Sequence, residues 1–263
     1  MTIHAFHDSL VKRLLDHQVV DREGRLLGKV DDLALREDGD GLVVEGLLIG
    51  PGALAPRYPG VLGRWGWAIW RRLNHPDDPG VVLVPWREIT DLGSAIQVVD
   101  RAGAELLASF GLERWLRRHL IGRIPGAKGD GDQFDDDSPW SGGRHGPIPQ
   151  RGSDGDVHRM TELFAMAVID EGHEAGRHIT DLEARTAFVG SGPRLTRVLV
   201  GPCVVGSSLG YSSEEQDGPR VIRWIVDAVH REAHWHDVAD LAEISWSQGW
   251  VRLRGEASGH GDG

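Results

Sequence analysis

Short apolar runs separated by Gly- and Asp-rich turns set the pattern of this chain. Leu10, Val11, Leu14 and Leu15 fall on one side of a short helix predicted over residues 7–17, with Asp8 near its start. Val19, Val20 and Asp21 then read as a strand, and residues 22–25 as a turn in which Gly24 suits a positive φ. Residues 27–35 alternate imperfectly with period two and are predicted as a single strand. A polar turn over 37–41 leads into an apolar strand over 42–49, and residues 81–84 and 96–99 supply two more. Five short strands with glycine-rich turns predict a small antiparallel barrel or sandwich, and closure would remove their exposed edges.

The pattern occurs twice. Residues 19–33 are echoed by 168–182, residues 44–54 by 196–206, and the Trp-bearing segment 64–73 by 220–230, in the same order and about 149 residues apart. A period of that length implies two copies of one domain, since solenoid repeats run about 20–50 residues. The second copy is predicted to carry strands over 164–170, 177–188, 195–200, 238–244 and 250–254. Residues 125–157 are rich in Gly, Asp, Pro and Ser with few apolar positions, which predicts a flexible acidic linker. The expected organisation is therefore a first domain over 1–124, the linker over 125–157, a second and divergent domain over 158–255, and a disordered tail over 256–263.

The apolar strand, the Asp-x-x-Gly turn and the following Gly-x-Val/Ile-x-Asp-Leu segment together resemble the PRC-barrel family. Asp21, Gly24, Gly28, Val30, Asp32 and Leu33 carry the resemblance in the first copy. In the second, Asp170, Gly172, Gly176, Ile179, Asp181 and Leu182 carry it with the spacing shifted by one. Val84-Pro85-Trp86 before the last hairpin of the first copy is also similar to the family and has no counterpart in the second. The resemblance covers about residues 7–107 and 160–255. It implies a mainly β chain with two small antiparallel PRC-type barrels, each with an inserted amphipathic helix, plus short flanking helices. Barrels of this family occur in the cytoplasmic part of the photosynthetic reaction centre H subunit. They also occur in a factor that matures the small ribosomal subunit, where the barrel binds a ribosomal protein. The implied theme is protein binding without a catalytic site.

Charge and composition narrow the partners. The net charge of -11 is concentrated late in the chain, where residues 161–263 hold 9 basic and 16 acidic side chains. That half is a poor polyanion binder. Cys203 is the only cysteine and lies in an apolar run, so no intramolecular disulfide can form and a reducing, cytoplasmic setting is expected. No run of 18 apolar residues occurs, so no transmembrane helix is predicted. The N-terminal segment lacks the apolar core of a signal peptide.

The repeated motif residues Asp21, Gly24, Gly28, Asp32, Asp170, Gly176 and Asp181 are expected to serve the fold. Each Asp sits beside a Gly turn or at a strand end, where carboxylates accept hydrogen bonds from nearby amides. Features of one copy only are the better functional candidates. The segment 61–73, an insert that both copies carry, holds Trp65, Arg71 and Arg72, and Trp67 and Trp70 are extra in the first copy. The basic amphipathic segment 112–124 carries Trp115, Arg117 and Arg118. Large aromatics and Arg dominate interface energetics, so these eight residues are the predicted partner-binding surface. A basic amphipathic helix also suits an anionic membrane surface or RNA phosphates, which keeps peripheral membrane association and an RNA- or ribosome-associated role as alternatives, the latter disfavoured by net charge. His230, His234, His236 and Asp237 form a cluster without a fixed set of metal ligands. No nucleophile–base pair, Walker loop or dinucleotide fingerprint is present, so neither enzyme, metal nor cofactor is expected.

Overall fold

The computed structural model describes residues 7–39, 41–54, 68, 81–109, 157–170, 176–185, 192–202 and 233–254. The chain starts with strand β1 (His7–Ser9), helix α1 (Leu10–Leu14), β2 (Gln18–Val20), β3 (Leu26–Lys29), β4 (Asp32–Asp38), β5 (Gly41–Ile49) and the single turn α2 (Pro51–Leu54). It continues with β6 (Val82–Pro85), a 3-10 turn (Trp86–Glu88), β7 (Ile89–Leu92), β8 (Ile96–Val98) and α3 (Asp100–Ser109). The second copy supplies β9 (Val157–Arg159), α4 (Met160–Ala165), β10 (Ala167–Ile169), β11 (His178–Arg185) and β12 (Arg194–Gly201). It ends with β13 (His234–Asp237), a 3-10 turn (Val238–Asp240), β14 (Leu241–Ser245) and β15 (Trp250–Leu253). The fold is mainly β, as the alternating apolar runs predict. The strand pairing among the described residues forms three sheets and does not close into a ring.

Four of the predicted elements are divided differently. The helix predicted over 7–17 is β1 followed by α1. The strand predicted over 238–244 opens with the 3-10 turn Val238–Asp240. Two further strands change. Residues 27–35 are not one strand: β3 and β4 are separated at Val30 and Asp31 and belong to different sheets. The imperfect alternation marks this break, because Leu27, Val30 and Leu33 are all buried and cannot lie on one face of a single strand. At the break, Val30 N–H donates to His17 O (3.0 Å) and Asp31 N–H to Leu48 O (3.0 Å), so each residue bonds a different neighbour. In the second copy, the strand predicted over 164–170 starts later. Phe164 belongs to α4, and only Ala167–Ile169 are extended.

The two copies exchange edge strands. β1 of the first copy pairs antiparallel with β11 of the second, with His7 opposite Arg185 and Ser9 opposite Glu183. β9 of the second copy pairs antiparallel with β4 of the first, with Ala34 opposite Arg159 and Arg36 opposite Val157. The result is one eight-stranded sheet that runs β1-β11-β12-β5-β4-β9, with β6 on β5 and β13 on β12. The two halves meet where Arg194 of β12 faces Val43 of β5, and Val44 N–H donates to Pro193 O at 2.9 Å.

The order is symmetric about this junction: β5, β4 and β6 correspond to β12, β11 and β13. Two smaller sheets also correspond. β3-β2-β8-β7 matches β10-β15-β14, each containing a parallel pair, β2 with β8 and β10 with β15. One hydrophobic cluster includes Leu10, Leu33, Leu47 and Ile96 of the first copy and Phe164, Leu182, Val198 and Val251 of the second. No helix among the described residues is long and apolar enough to cross a membrane.

Candidate functional site

The repeated carboxylates hold the architecture together, and they do so in two ways. Asp21 organises the turn between β2 and β3. Its Oδ1 accepts the backbone N–H of Glu23 (3.0 Å) and of Arg25 (2.8 Å), and its Oδ2 accepts Arg25 Nε at 2.5 Å. Gly24 completes the turn at φ 79°, a region where a Cβ would be strained. Burial pushes the Asp21 carboxyl up, but the Arg25 amide and guanidinium, with the Glu23 amide, outweigh it and leave the group below the usual carboxylate range. Asp21 therefore contributes stability above the ordinary carboxylate pKa, and the contribution is lost as pH falls through the lowered value. Asp21→Ala is expected to cost about 1–3 kcal/mol, because two turn amides and the guanidinium lose their acceptor. Urea denaturation at pH 7 measures it, and the loss should shrink toward pH 3.

Asp32 and Asp181 act across the repeat. Asp32 is fully buried at the start of β4. Its Oδ1 accepts the N–H of Leu33 (2.8 Å) and of Thr161 (3.2 Å), and its Oδ2 accepts the Thr161 hydroxyl (2.5 Å), 129 positions away. Asp181 is its counterpart in the repeat and lies inside β11 (His178–Arg185). Its Oδ1 accepts the Leu182 N–H (2.7 Å) and the Ser9 hydroxyl (2.9 Å), and the carboxyl also accepts the Val11 N–H. Each motif carboxylate thus caps the first helix of the other copy: Asp32 caps α4 and Asp181 caps α1. Helix starts leave free N–H groups, and an acceptor there satisfies them. The caps anchor the chain where β1 and β9 cross over.

Burial is the largest influence on both carboxyls and raises each to about 6, with the hydroxyl and amide donors pulling the other way. Arg159 beside Asp32 also favours its charged form, and Glu183 near Asp181 disfavours it.

Gly28 and Gly176 lie just before these carboxylates, with φ of 146° and 128°. Gly28 sits opposite Val19, next to a register shift in the β2–β3 pair. Asp170, the counterpart of Asp21, directly follows β10; burial and then Arg177 lower the pKa of His236, and the Asp170 charge opposes them. The turn after Asp170, including Gly172, lies outside the described residues.

So do all eight predicted partner-binding residues: Trp65, Trp67, Trp70, Arg71, Arg72, Trp115, Arg117 and Arg118. Cys203 and His230 lie outside as well. His234 and His236 stand on β13, opposite Val200 and Val198 of β12, in extended backbone. Among the described residues, no three His, Cys, Asp or Glu side chains converge as a metal site.

Three aromatic contacts were not predicted. His158 of β9 stacks on Trp246 at 3.7 Å between ring centroids and 2° between planes. Trp246 Nε1 donates to Glu37 Oε1 of β4 (2.6 Å), which ties the end of the second copy to the first. Trp235 packs against the Arg197 guanidinium (5.1 Å) and Trp250 against Arg252 (4.9 Å), both Trp rings partly exposed. A Trp flanked by polar residues is the only sequence signal for Trp246, and it names no partner. The caps on α1 and α4 had no such signal: extending the spacing of about 149 residues toward each N-terminus sets Ser9-Leu10-Val11 beside His158-Arg159-Met160, which does not pair the two hydroxyls.

No family model matches this chain. No curated protein matches it either.

Proposed function

We propose that this chain is a non-catalytic assembly module, a tandem of two PRC-type barrels that binds protein partners. The observation that supports this reading is the use of the repeated carboxylates. Asp21, Asp32 and Asp181 each accept several hydrogen bonds from backbone amides, hydroxyls or a guanidinium of the chain itself, which suits a rigid scaffold. Interlocked repeats give such a module a fixed geometry between its two ends. In this reading, the β2–β8 and β10–β15 sheets each fold back over their half of the large sheet as one barrel wall, in a cytoplasmic protein.

The contact surface in this proposal is Trp65, Trp67, Trp70, Arg71 and Arg72 with Trp115, Arg117 and Arg118. Rigid aromatic and guanidinium side chains of this kind give the largest interface energies. The test is quantitative affinity purification from the native cell with the wild type and with a Trp67→Ala, Trp70→Ala, Arg117→Glu, Arg118→Glu variant of unchanged melting temperature. A defined set of proteins lost from the variant supports the reading. Retention of every wild-type partner by the variant overturns it. Recovery of ribosomal subunits or anionic lipid in place of discrete proteins would transfer the surface to another class of partner.

A further inference from the structure

The first copy lends β1 and α1 to the second and takes β9 and α4 in return. α1 packs on β11, and α4 packs on both β11 and β4. Leu10, Val11 and Leu14 of α1 are buried, and so are Met160, Leu163 and Phe164 of α4. The apolar sides of the exchanged helices therefore lie in a core that both copies build. Obligate protein–protein interfaces have this character, two partners sharing one hydrophobic interior.

The apolar core leaves open whether the copies need each other, because β1 could instead lie against β4 of its own copy. The polar contacts distinguish the two arrangements. The N–H of Val11 meets Asp181 as the N–H of Thr161 meets Asp32, so Val11 and Thr161 hold equivalent places. Asp32 also takes the Thr161 hydroxyl, which a Val in that place cannot supply. Arg159 donates to Gly52 O of the first copy at 2.8 Å, and the equivalent place before α1 holds Ser9. Trp246 follows β14 and donates to Glu37 at 2.6 Å, whereas Gly93 follows β7 and has no side-chain donor. Arg194 of β12 pairs with the Asp38 carboxylate and donates to Asp38 O at 3.2 Å, and Val43 faces it across the junction. A copy folded back on itself would lack these bonds.

We propose that each copy is the other's dedicated binding partner. The surface formed by β4, β5, Asp32 and Glu37 of the first copy fits the second copy and holds it without the connection between Ser109 and Val157. A chain cut within that connection remains one folded particle. Its two pieces bind each other with a dissociation constant below about 1 μM, and neither closes on itself.

The full chain tests this when it carries a site for a sequence-specific protease between Asp137 and Ser138 or, in a second version, between Gly146 and Pro147. The cut is then made after folding. At about 1 μM the cut protein should elute with the uncut chain in size-exclusion chromatography. Its melting midpoint should fall on roughly hundredfold dilution while that of the uncut chain stays fixed, because unfolding separates only the cut pieces. Thr161→Val locates the contact. At one urea concentration below the unfolding transition, it should raise the dissociation constant of the cut pieces about tenfold, through the loss of one buried hydrogen bond. Elution of the pieces as separate folded halves would overturn the proposal, as would a melting midpoint of the cut protein that ignores concentration. A dissociation constant that Thr161→Val leaves unchanged would overturn it too, since the pieces would then be held elsewhere.

Discussion

Gly192→Ala is expected to pull the two repeats apart at their junction, at a cost of about 3 kcal/mol or more. A Cβ at Gly192 would lie 1.7 Å from Val44 O and 2.8 Å from Val44 C, both main-chain atoms of β5. No rotamer relieves a clash with backbone, so β5 and the residues leading into β12 must separate. The Val44 N–H to Pro193 O bond lies beside the clash and should break with it. Gly41→Ala is the matched control. Its Cβ would meet only Arg194 Nη1 at 2.9 Å, the end of a flexible, half-exposed side chain that can swing aside. That change should cost under about 1 kcal/mol, in the range of exposed ion pairs. Urea midpoints of the two variants at pH 7 make the comparison, and equal midpoints would mean that the junction is not as close as described. Gly46→Ala extends the series within the first repeat, where the clash is with Val84 O at 2.3 Å. It should destabilise the β5–β6 pair without acting at the junction.

Removing the Asp32 carboxyl has the second large effect. Asp32→Ala leaves the Leu33 and Thr161 amides and the Thr161 hydroxyl without their acceptor in a fully buried place. The expected loss is about 3 kcal/mol, the sum of an unsatisfied helix start and a buried cavity. Asp32→Asn at the same position should cost far less at pH 7, because it keeps the amide acceptor and removes a buried charge. Thr161→Val alone removes one of the three donors and should cost about 1–2 kcal/mol. The double variant Asp32→Ala, Thr161→Val should cost less than the sum, with a coupling of about 1 kcal/mol, as contacting residues do. Strict additivity across these two residues would show that the first and second copies do not meet there.

Much of the local structure follows from the order of the residues alone. The spacing of Leu10, Val11 and Leu14 places α1, the Asp21–Gly24 turn is where its residue types put it, and the long apolar run of β5 needs no tertiary context. These features depend on contacts between near neighbours. The break between β3 and β4 was visible only as a fault in the alternation, since Val30 changes phase and only its pairing with the chain before β2 shows why. Phe164 gave a misleading signal. In the run that ends at Ile169 its bulk suits a strand, but Asp32 satisfies the start of a helix there from far away in sequence.

The exchange of strands was outside the reach of any pattern. A repeat states which segments are equivalent, and it leaves open whether β1 lies on its own copy or on the other. Both arrangements would bury the same residues in the same environment, so the hydrophobic pattern is identical for the two. The pairings of β1 with β11 and of β9 with β4 settle it in favour of exchange, and Gly192 permits β5 and β12 to touch where the halves meet. The sequence by itself therefore determined a mainly β chain of two related halves, with turn-capping carboxylates at fixed places. Only the tertiary structure decided that the halves are interlocked and that Asp32 and Asp181 cap each other's copy, because those bonds join groups 129 and 172 residues apart, beyond any periodic signal along the chain.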